Sequence, residues 1–276
     1  MLFGEHLHHS VTVTALTLLV AFWLVLYAYI KRKISTSAFI GTLILGVIIL
    51  LTFGFKFGYA GVLVLLAFFL SGNLVTKYKY NKKAMLGVAE GNKGMRDINN
   101  VLGNGLSPLI FAVLYAVPVS SPSHNTIFLL GFSGAVATAC ADTFSTEIGQ
   151  AEGNPRLITT LKKVPVGTNG GVSLPGIGAA VLGSCLISLA GLTFWVVLQI
   201  PTRTILLLSC VCLLSGFLGC IIDSFLGATI EDKSFYKRTS QFRLNKHHVN
   251  ILATLFGGIL AILLGYYLGL QTGVRP

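Results

Sequence analysis

Residues 203–226 read Arg203-Thr-Ile-Leu-Leu-Leu-Ser-Cys-Val-Cys-Leu-Leu-Ser-Gly-Phe-Leu-Gly-Cys-Ile-Ile-Asp223-Ser-Phe-Leu226. Positions 204–222 carry no charge, and Asp223 then interrupts the run. A hydrocarbon core about 30 Å thick is crossed by roughly 20 apolar residues in an α-helix, so this stretch reads as a membrane span with a carboxylate near one end. Working outward, seven more runs of this kind complete a set at approximately 11–30, 36–53, 57–76, 99–118, 126–146, 173–199, 203–226 and 248–269. The second stops early, at Gly54-Phe55-Lys56. The runs are continuous rather than alternating, unlike the roughly 10-residue strands of a membrane barrel. The fold class expected is all-α, a polytopic transmembrane helical bundle of about eight spans, with residues 1–276 forming one integral membrane domain. Composition agrees: 54% of residues are hydrophobic and 11% charged, against about 25% charged in soluble domains.

The formal net charge of +11 raises nucleic acid as a partner, but the distribution of charge argues against it. The connections after spans one, three, five and seven hold seventeen of the twenty Lys and Arg residues. Basic residues gather in cytoplasmic loops, so that side is expected to be cytoplasmic and both termini extracytoplasmic. Membrane lipids are the expected surroundings, no nucleic-acid partner is expected, and the location is a multi-pass membrane position, the plasma membrane in a prokaryote. The first run has no basic residue before it and Lys31-Arg32-Lys33 after it, the reverse of a cleaved signal. All five cysteines fall inside apolar segments without a Cys-x-x-Cys pair, which reads as packing rather than metal or redox chemistry. The frequent glycines within spans, such as Gly131, Gly134, Gly216, Gly219, Gly257 and Gly258, read as sites of close helix packing.

Spans five and seven run toward the basic side in this arrangement. Asp142 and Asp223 then lie about 24–30 Å along them, at 1.5 Å per residue, near the cytoplasmic interface. Spans four, six and eight begin at the same level. Polar groups therefore converge there: Asn99, Asn100 and Asn104; the turn Gly167-Thr168-Asn169-Gly170-Gly171-Val172-Ser173; and Asn245 to Asn250 with Thr254 one turn on. A carboxylate within a span costs roughly 2.5–3.5 kcal/mol at the bilayer centre and less toward the interface, and both aspartates are followed by a hydroxyl residue and a phenylalanine. Hard oxygen ligands suit Mg²⁺, which takes one or two carboxylates plus substrate phosphates; Asp142, Asp223 and Glu147 are the candidate metal ligands. Glycines in the 167–171 turn free backbone N–H groups to face an anion at the start of span six. Lys162 and Lys163 supply charge nearby, and Arg96 suits a bidentate phosphate clamp. The turn is not a Walker A loop, which requires Gly-x-x-x-x-Gly-Lys-Ser/Thr. His247 and His248 are adjacent and cannot ligate one metal from one helix face; together with His6, His8 and His9 they read as interfacial, and Glu231 and Asp232 as solvated.

Three ordered motifs carry a resemblance. Ala141 to Glu147, Gly167 to Ser173 and Asp223 to Thr229, with Asn99 to Gly105 and Asn245 to Thr254, are similar to those of the family containing transmembrane protein 19 and the phytyl-phosphate kinases of vitamin E synthesis. The likeness covers most of the chain from about residue 90 onward. It implies an integral membrane kinase that uses a nucleoside triphosphate, CTP in related polyprenol kinases, to convert a prenyl monophosphate to the diphosphate. The expected site is then Asp142, Asp223, Lys162 and Arg96 as catalytic groups. Lys163, Gly167, Thr168, Asn169, Gly170, Gly171, Ser173, Asn104 and Asn250 bind substrate and nucleotide, with Mg²⁺ on Asp142, Glu147 and Asp223. The alternative is an ion-coupled transporter of a small or anionic substrate, since intramembrane carboxylates beside glycine breaks also mark carriers. Carriers place their site near the midplane, whereas both aspartates here fall toward one side.

Overall fold

The computed structural model describes residues 2–117, 122–231 and 244–269, with side chains of 2–10, 55–56 and 122–126 excepted. The element order is α1 (Leu2–Ile30), α2 (Thr36–Lys77), α3 (Tyr80–Met85), α4 (Gly91–Gly94), α5 (Ile98–Ala116), α6 (Pro122–Glu152), β1 (Arg156–Leu157), β2 (Gly171–Val172), α7 (Leu174–Val197), α8 (Thr202–Thr229) and α9 (Lys246–Tyr267). Eight stretches are long and apolar enough to cross a membrane: Val11–Ile30, Thr36–Gly54, Phe57–Lys77, Ile98–Ala116, Ile127–Glu152, Leu174–Val197, Thr202–Thr229 and Lys246–Tyr267. They coincide with the expected spans to within a few residues, and the protein is a multi-pass integral membrane protein. The connection expected between the spans at 99–118 and 126–146 falls mainly outside the described residues, as do Asp232 and the side chains of His6, His8 and His9.

Most helices that start on the polar face do so at a side-chain cap. Ser35 accepts from Ala38 N at 3.1 Å to open α2, and Ser173 accepts from Gly176 N at 3.3 Å to open α7. Asp97 and Asn245 form reciprocal capping boxes with Asn100 and His248. Such caps satisfy backbone N–H groups that the first turn leaves without a carbonyl.

Two spans share α2, which is folded sharply at Gly54 (φ 65°, ψ 178°). A Cβ placed on Gly58 would meet Leu50, and one on Gly61 would meet Ile49 and Phe53. Those pairs are eight to twelve residues apart along the chain, so the two halves lie against each other as a tight hairpin. Gly54 sits in a backbone region that is essentially closed to other residues. At this end of the bundle Phe53 packs edge-on against Tyr115, Phe132 and Phe194, with ring centroids 5.2, 5.1 and 5.5 Å away.

The innermost helix is α6: 72% of its apolar stretch is buried, against 17% for α1. Small residues let its neighbours reach it. Added Cβ atoms on Gly216 of α8 would strike Ala137, those on Gly219 of α8 and Gly257 of α9 would strike Thr138, and one on Gly183 of α7 would strike Cys140 and Ala141. Without a hydrophobic drive between helices in lipid, close approach of this kind supplies the packing. Outward-facing side chains such as Leu51, Leu74 and Leu182 remain exposed, as a lipid-facing surface requires. Helix α6 also runs past the expected limit of 146 to Glu152. Its extension is held from the side: Tyr78 Oη donates to Glu152 at 2.9 Å, and Lys82 Nζ donates to the Ala151 carbonyl at 2.5 Å.

Gly54→Ala is expected to destabilise the folded state by about 1–3 kcal/mol, the cost of holding a residue with a Cβ in this conformation. Thermal unfolding of detergent-purified protein measures it; an unchanged midpoint would mean that the hairpin turn is not formed this way.

Candidate active site

One turn of helix explains how the two intramembrane aspartates meet. Gly219 packs directly on Thr138. Asp223 and Asp142 each lie four residues further along their helices, on the same faces. A tight contact between α8 and α6 therefore sits just beneath the two carboxyls, which interact with each other and line the same cavity. Thr146, one turn on from Asp142, lies beside the Asp142 carboxyl and lines the same cavity. Asp223 Oδ2 is buried with no hydrogen-bond partner.

Both carboxyls open into a polar cavity of about 310 Å³. Helices α6 and α8 bring their C-terminal ends to it, and α5, α7 and α9 bring their N-terminal ends, represented by Asn100, Ser173 and the Lys246 to Asn250 turn. Three positive helix ends thus surround two negative side chains. That arrangement favours a ligand carrying both a cation and anionic oxygens.

The glycine turn forms a further wall. Gly170 has φ 74°, and a Cβ there would strike Ala228 and lie 2.6 Å from the Ser224 carbonyl. The turn is pressed onto the last turn of α8, directly beyond Asp223, and only glycine fits. Gly167, Thr168, Asn169 and Gly171 also line the cavity. Two of the turn's N–H groups are used internally, Thr168 N to Pro165 O at 3.2 Å and Gly171 N to Thr168 O at 2.9 Å.

Cations are arranged differently from the sequence expectation. Lys162 and Lys163 are exposed and do not line the cavity. Leu157 N donates to the Lys162 carbonyl at 2.9 Å and Arg156 pairs with Lys163, so both lysines belong to a small hairpin on the surface. Arg96 does line the cavity. Its backbone is clamped to the connection between α1 and α2, with Arg96 N bonded to Lys33 O and Ser35 N to Arg96 O, each at 2.9 Å. Its Nη2 donates to Thr76 Oγ1 at 3.2 Å, while Nε is buried without a partner. Burial pushes the Arg96 guanidinium below its ordinary range, and Glu147, Glu90 and Asp142 oppose that shift. Lys246 stands at the rim, 3.2 Å from Glu90.

Glu147 also faces the cavity, but its Oε2 is engaged by Lys83 in a buried ion pair. Lys83 is fully buried, and its Nζ donates to the Thr76 carbonyl at 3.0 Å as well. Glu147 is therefore already neutralised, unlike Asp142 and Asp223. Asn250 lines the polar cavity, whereas Asn104 stands behind it; Asn250 Nδ2 donates to Asn104 Oδ1 at 3.4 Å. Among the described residues no group of three or more His, Cys, Asp and Glu side chains is arranged to hold a metal. Of the carboxylates that line the cavity, Glu147 is paired with Lys83 and Glu90 with Lys246, whereas Asp142 and Asp223 interact with each other, and Mg²⁺ accepts one or two carboxylates when phosphates supply the rest.

Sequence reasoning missed Lys83, Glu90 and Lys246, and it treated His247 as interfacial and Glu231 as solvated, although both line the cavity. His247 and Lys246 could have been suspected, since they open a helix at the polar level. Nothing local distinguishes Lys83 from its basic neighbours.

The model of the family described as integral membrane protein DUF92 matches residues 19–258. The chain belongs to this family. Within 236 aligned residues, this DUF92 protein is 35% identical to an uncharacterized membrane protein of Methanocaldococcus jannaschii, covering 85% of this chain and 87% of that one. It is 34% identical over 220 residues to Protein VTE6, chloroplastic, of Arabidopsis thaliana, which accounts for 79% of this chain but 62% of that longer protein. An uncharacterized membrane protein of Synechocystis is 32% identical over 255 residues, 88% of this chain and 87% of its own length. No solved structure matches this DUF92 protein.

Lys83→Met is expected to destabilise the protein by about 3–5 kcal/mol, because it strands the Glu147 carboxylate inside the protein. Lys83→Met combined with Glu147→Gln should recover most of that loss. Equal thermal midpoints for Lys83→Met and wild type, measured in the same detergent, would show that the pair is not buried as described.

Proposed function

We propose that the protein is a membrane kinase that transfers a phosphoryl group from a nucleoside triphosphate, CTP by the family resemblance, to a prenyl monophosphate, giving the diphosphate at the cytoplasmic face. The observation that carries this reading is the meeting of Asp142 and Asp223 in one polar cavity ringed by three helix N-termini. Membership of a family to which phytyl-phosphate kinase motifs are similar supports it. The donor set fits a hard divalent ion, since Asp223 Oδ2 is buried and without a partner beside a second carboxylate. Asp142 and Asp223 would hold Mg²⁺, which supplies neutralisation of phosphate charge.

In this mechanism an oxygen of the prenyl phosphate attacks the γ-phosphorus of the nucleotide. The bond from that phosphorus to the β,γ-bridging oxygen breaks, and the nucleoside diphosphate leaves. A phosphate oxygen is already a nucleophile, so the protein needs no strong general base, and positioning with charge neutralisation carries the rate. Arg96 would grip the prenyl phosphate with its guanidinium. The N-terminal turns of α5, α7 and α9 orient phosphate oxygens through their dipoles. The glycine turn, held on α8 by Gly170, keeps the nucleotide phosphates close to Asp223. Lys83 holds Glu147 in a fixed place and removes its repulsion from the same pocket. Lys162 and Lys163, on the outer hairpin, have no direct part.

Asp142→Asn and Asp223→Asn should each lower diphosphate formation by at least about a hundredfold, the scale seen when one preorganised electrostatic group is lost. The assay is purified protein with Mg²⁺, a panel of prenyl monophosphates and CTP, ATP, UTP or GTP, with product identified by mass. Near-normal turnover in both variants eliminates this centre. Uptake of substrate driven by a proton or sodium gradient, with no nucleotide consumed, would replace the kinase with a carrier.

A further inference from the structure

A second cavity, of about 350 Å³, adjoins the polar one and has the opposite character. Phe22 of α1, Leu43, Gly46, Leu65 and Phe69 of the α2 hairpin, and Val101 of α5 are among its walls. Among the described residues its one charged wall group is Arg96. Arg96 and Asn100 also line the polar cavity, so the two spaces meet at these two side chains. An apolar space of this kind stays dry and accepts apolar groups, whereas the buried guanidinium at its head calls for an anion. The shape of the pair therefore fits an amphiphile with an anionic head and a hydrocarbon tail.

We infer that the second cavity holds the isoprenoid tail of the lipid monophosphate, with Arg96 and Asn100 at the junction of tail and phosphate. This rests on the reading of the polar cavity as the phosphoryl-transfer centre, and it adds where the tail lies and what limits its length. The head of the tail site is level with Ser35, whose N–H bonds the Arg96 carbonyl at 2.9 Å. Gly46 lies eleven residues further along α2, or about 16 Å at 1.5 Å per residue. A Cβ at Gly46 would meet nothing within 4 Å. Val47 and Leu50 continue the wall beyond it, so a bulky side chain grown at Gly46 takes tail space without striking a neighbour at its base and shortens the room available to the tail.

The test has two parts. In the first, wild-type protein in detergent is photolabelled, without nucleotide, by a twenty-carbon prenyl monophosphate carrying a diazirine at the far end of its tail. Labelled peptides are then mapped by mass spectrometry. Labels within residues 43–50 and 62–69 are expected, and labels confined to other helices overturn the inference. A phosphatidic acid with the same diazirine that labels those residues equally, and is not displaced by unlabelled prenyl monophosphate, also overturns it. In the second, the twenty-carbon to ten-carbon turnover ratio is compared between wild type and Gly46→Phe. The ratio should fall at least about tenfold, a magnitude ordinary for filling an apolar pocket. Gly46→Leu should shift it less in the same direction, which serves if Gly46→Phe does not fold. An unchanged ratio in both variants overturns the inference. Labels in the expected residues with no diphosphate from any nucleotide would leave the lipid-tail site standing while the kinase reading falls.

Discussion

Two carboxylates facing each other inside a membrane bundle form an arrangement that repels itself, and the rest of the polar end is organised around that repulsion. Charges separated by a few ångströms interact far more strongly away from water than in it, so Asp142 and Asp223 need opposite charge close at hand. The helix N-termini of α5, α7 and α9, the Arg96 guanidinium and the rim Lys246 provide part of it. The packing that forces the pair together lies one turn away, where Gly219 admits Thr138. Packing and the geometry of the polar cavity are thus joined: the small residues that let α8 reach α6 also bring the acids together.

Charge is divided between fixed and available groups. Glu147 and Lys83 satisfy one another in the interior and form a fixed ion pair that ties the α3 region to α6. Asp223 Oδ2 and Arg96 Nε, by contrast, are enclosed without partners. Buried polar atoms without partners are rare in folded proteins and call for an explanation. A ligand that brings a cation to one and an anion to the other satisfies both. The adjoining apolar cavity shares Arg96 and Asn100 with the polar one, which is why the proposed ligand is an amphiphile with an anionic head.

Much of this was legible in the sequence, and the limits follow from physics. Spans are local signals, since an apolar run of bilayer length reports itself, and the alternation of basic connections fixed their number at eight. That Asp142, Asp223 and the Gly167 to Ser173 turn share a level followed from counting residues along helices of known direction. Side-chain partnership is not local. Lys83 looks like its neighbours Lys79 and Lys82 until α3 is packed on α6. Lys162 and Lys163 were assigned to the site because they precede the glycine turn, but the β1–β2 hairpin turns them outward. Asn104 and Asn250 were both assigned to the substrate site; they are bonded to each other, yet Asn250 lines the polar cavity and Asn104 the apolar one, a division set by helix rotation. The apolar cavity itself could not be read, because it depends on the Gly54 hairpin leaving space beside α1 and α5.

The central claim is that Asp142 and Asp223 act together on one divalent ion, and electron paramagnetic resonance of Mn²⁺ added with a non-hydrolysable CTP analogue addresses it most directly. The account predicts one tightly held Mn²⁺ per chain, with its signal lost from either single asparagine variant while the protein stays folded. Undiminished Mn²⁺ binding in both variants would contradict it.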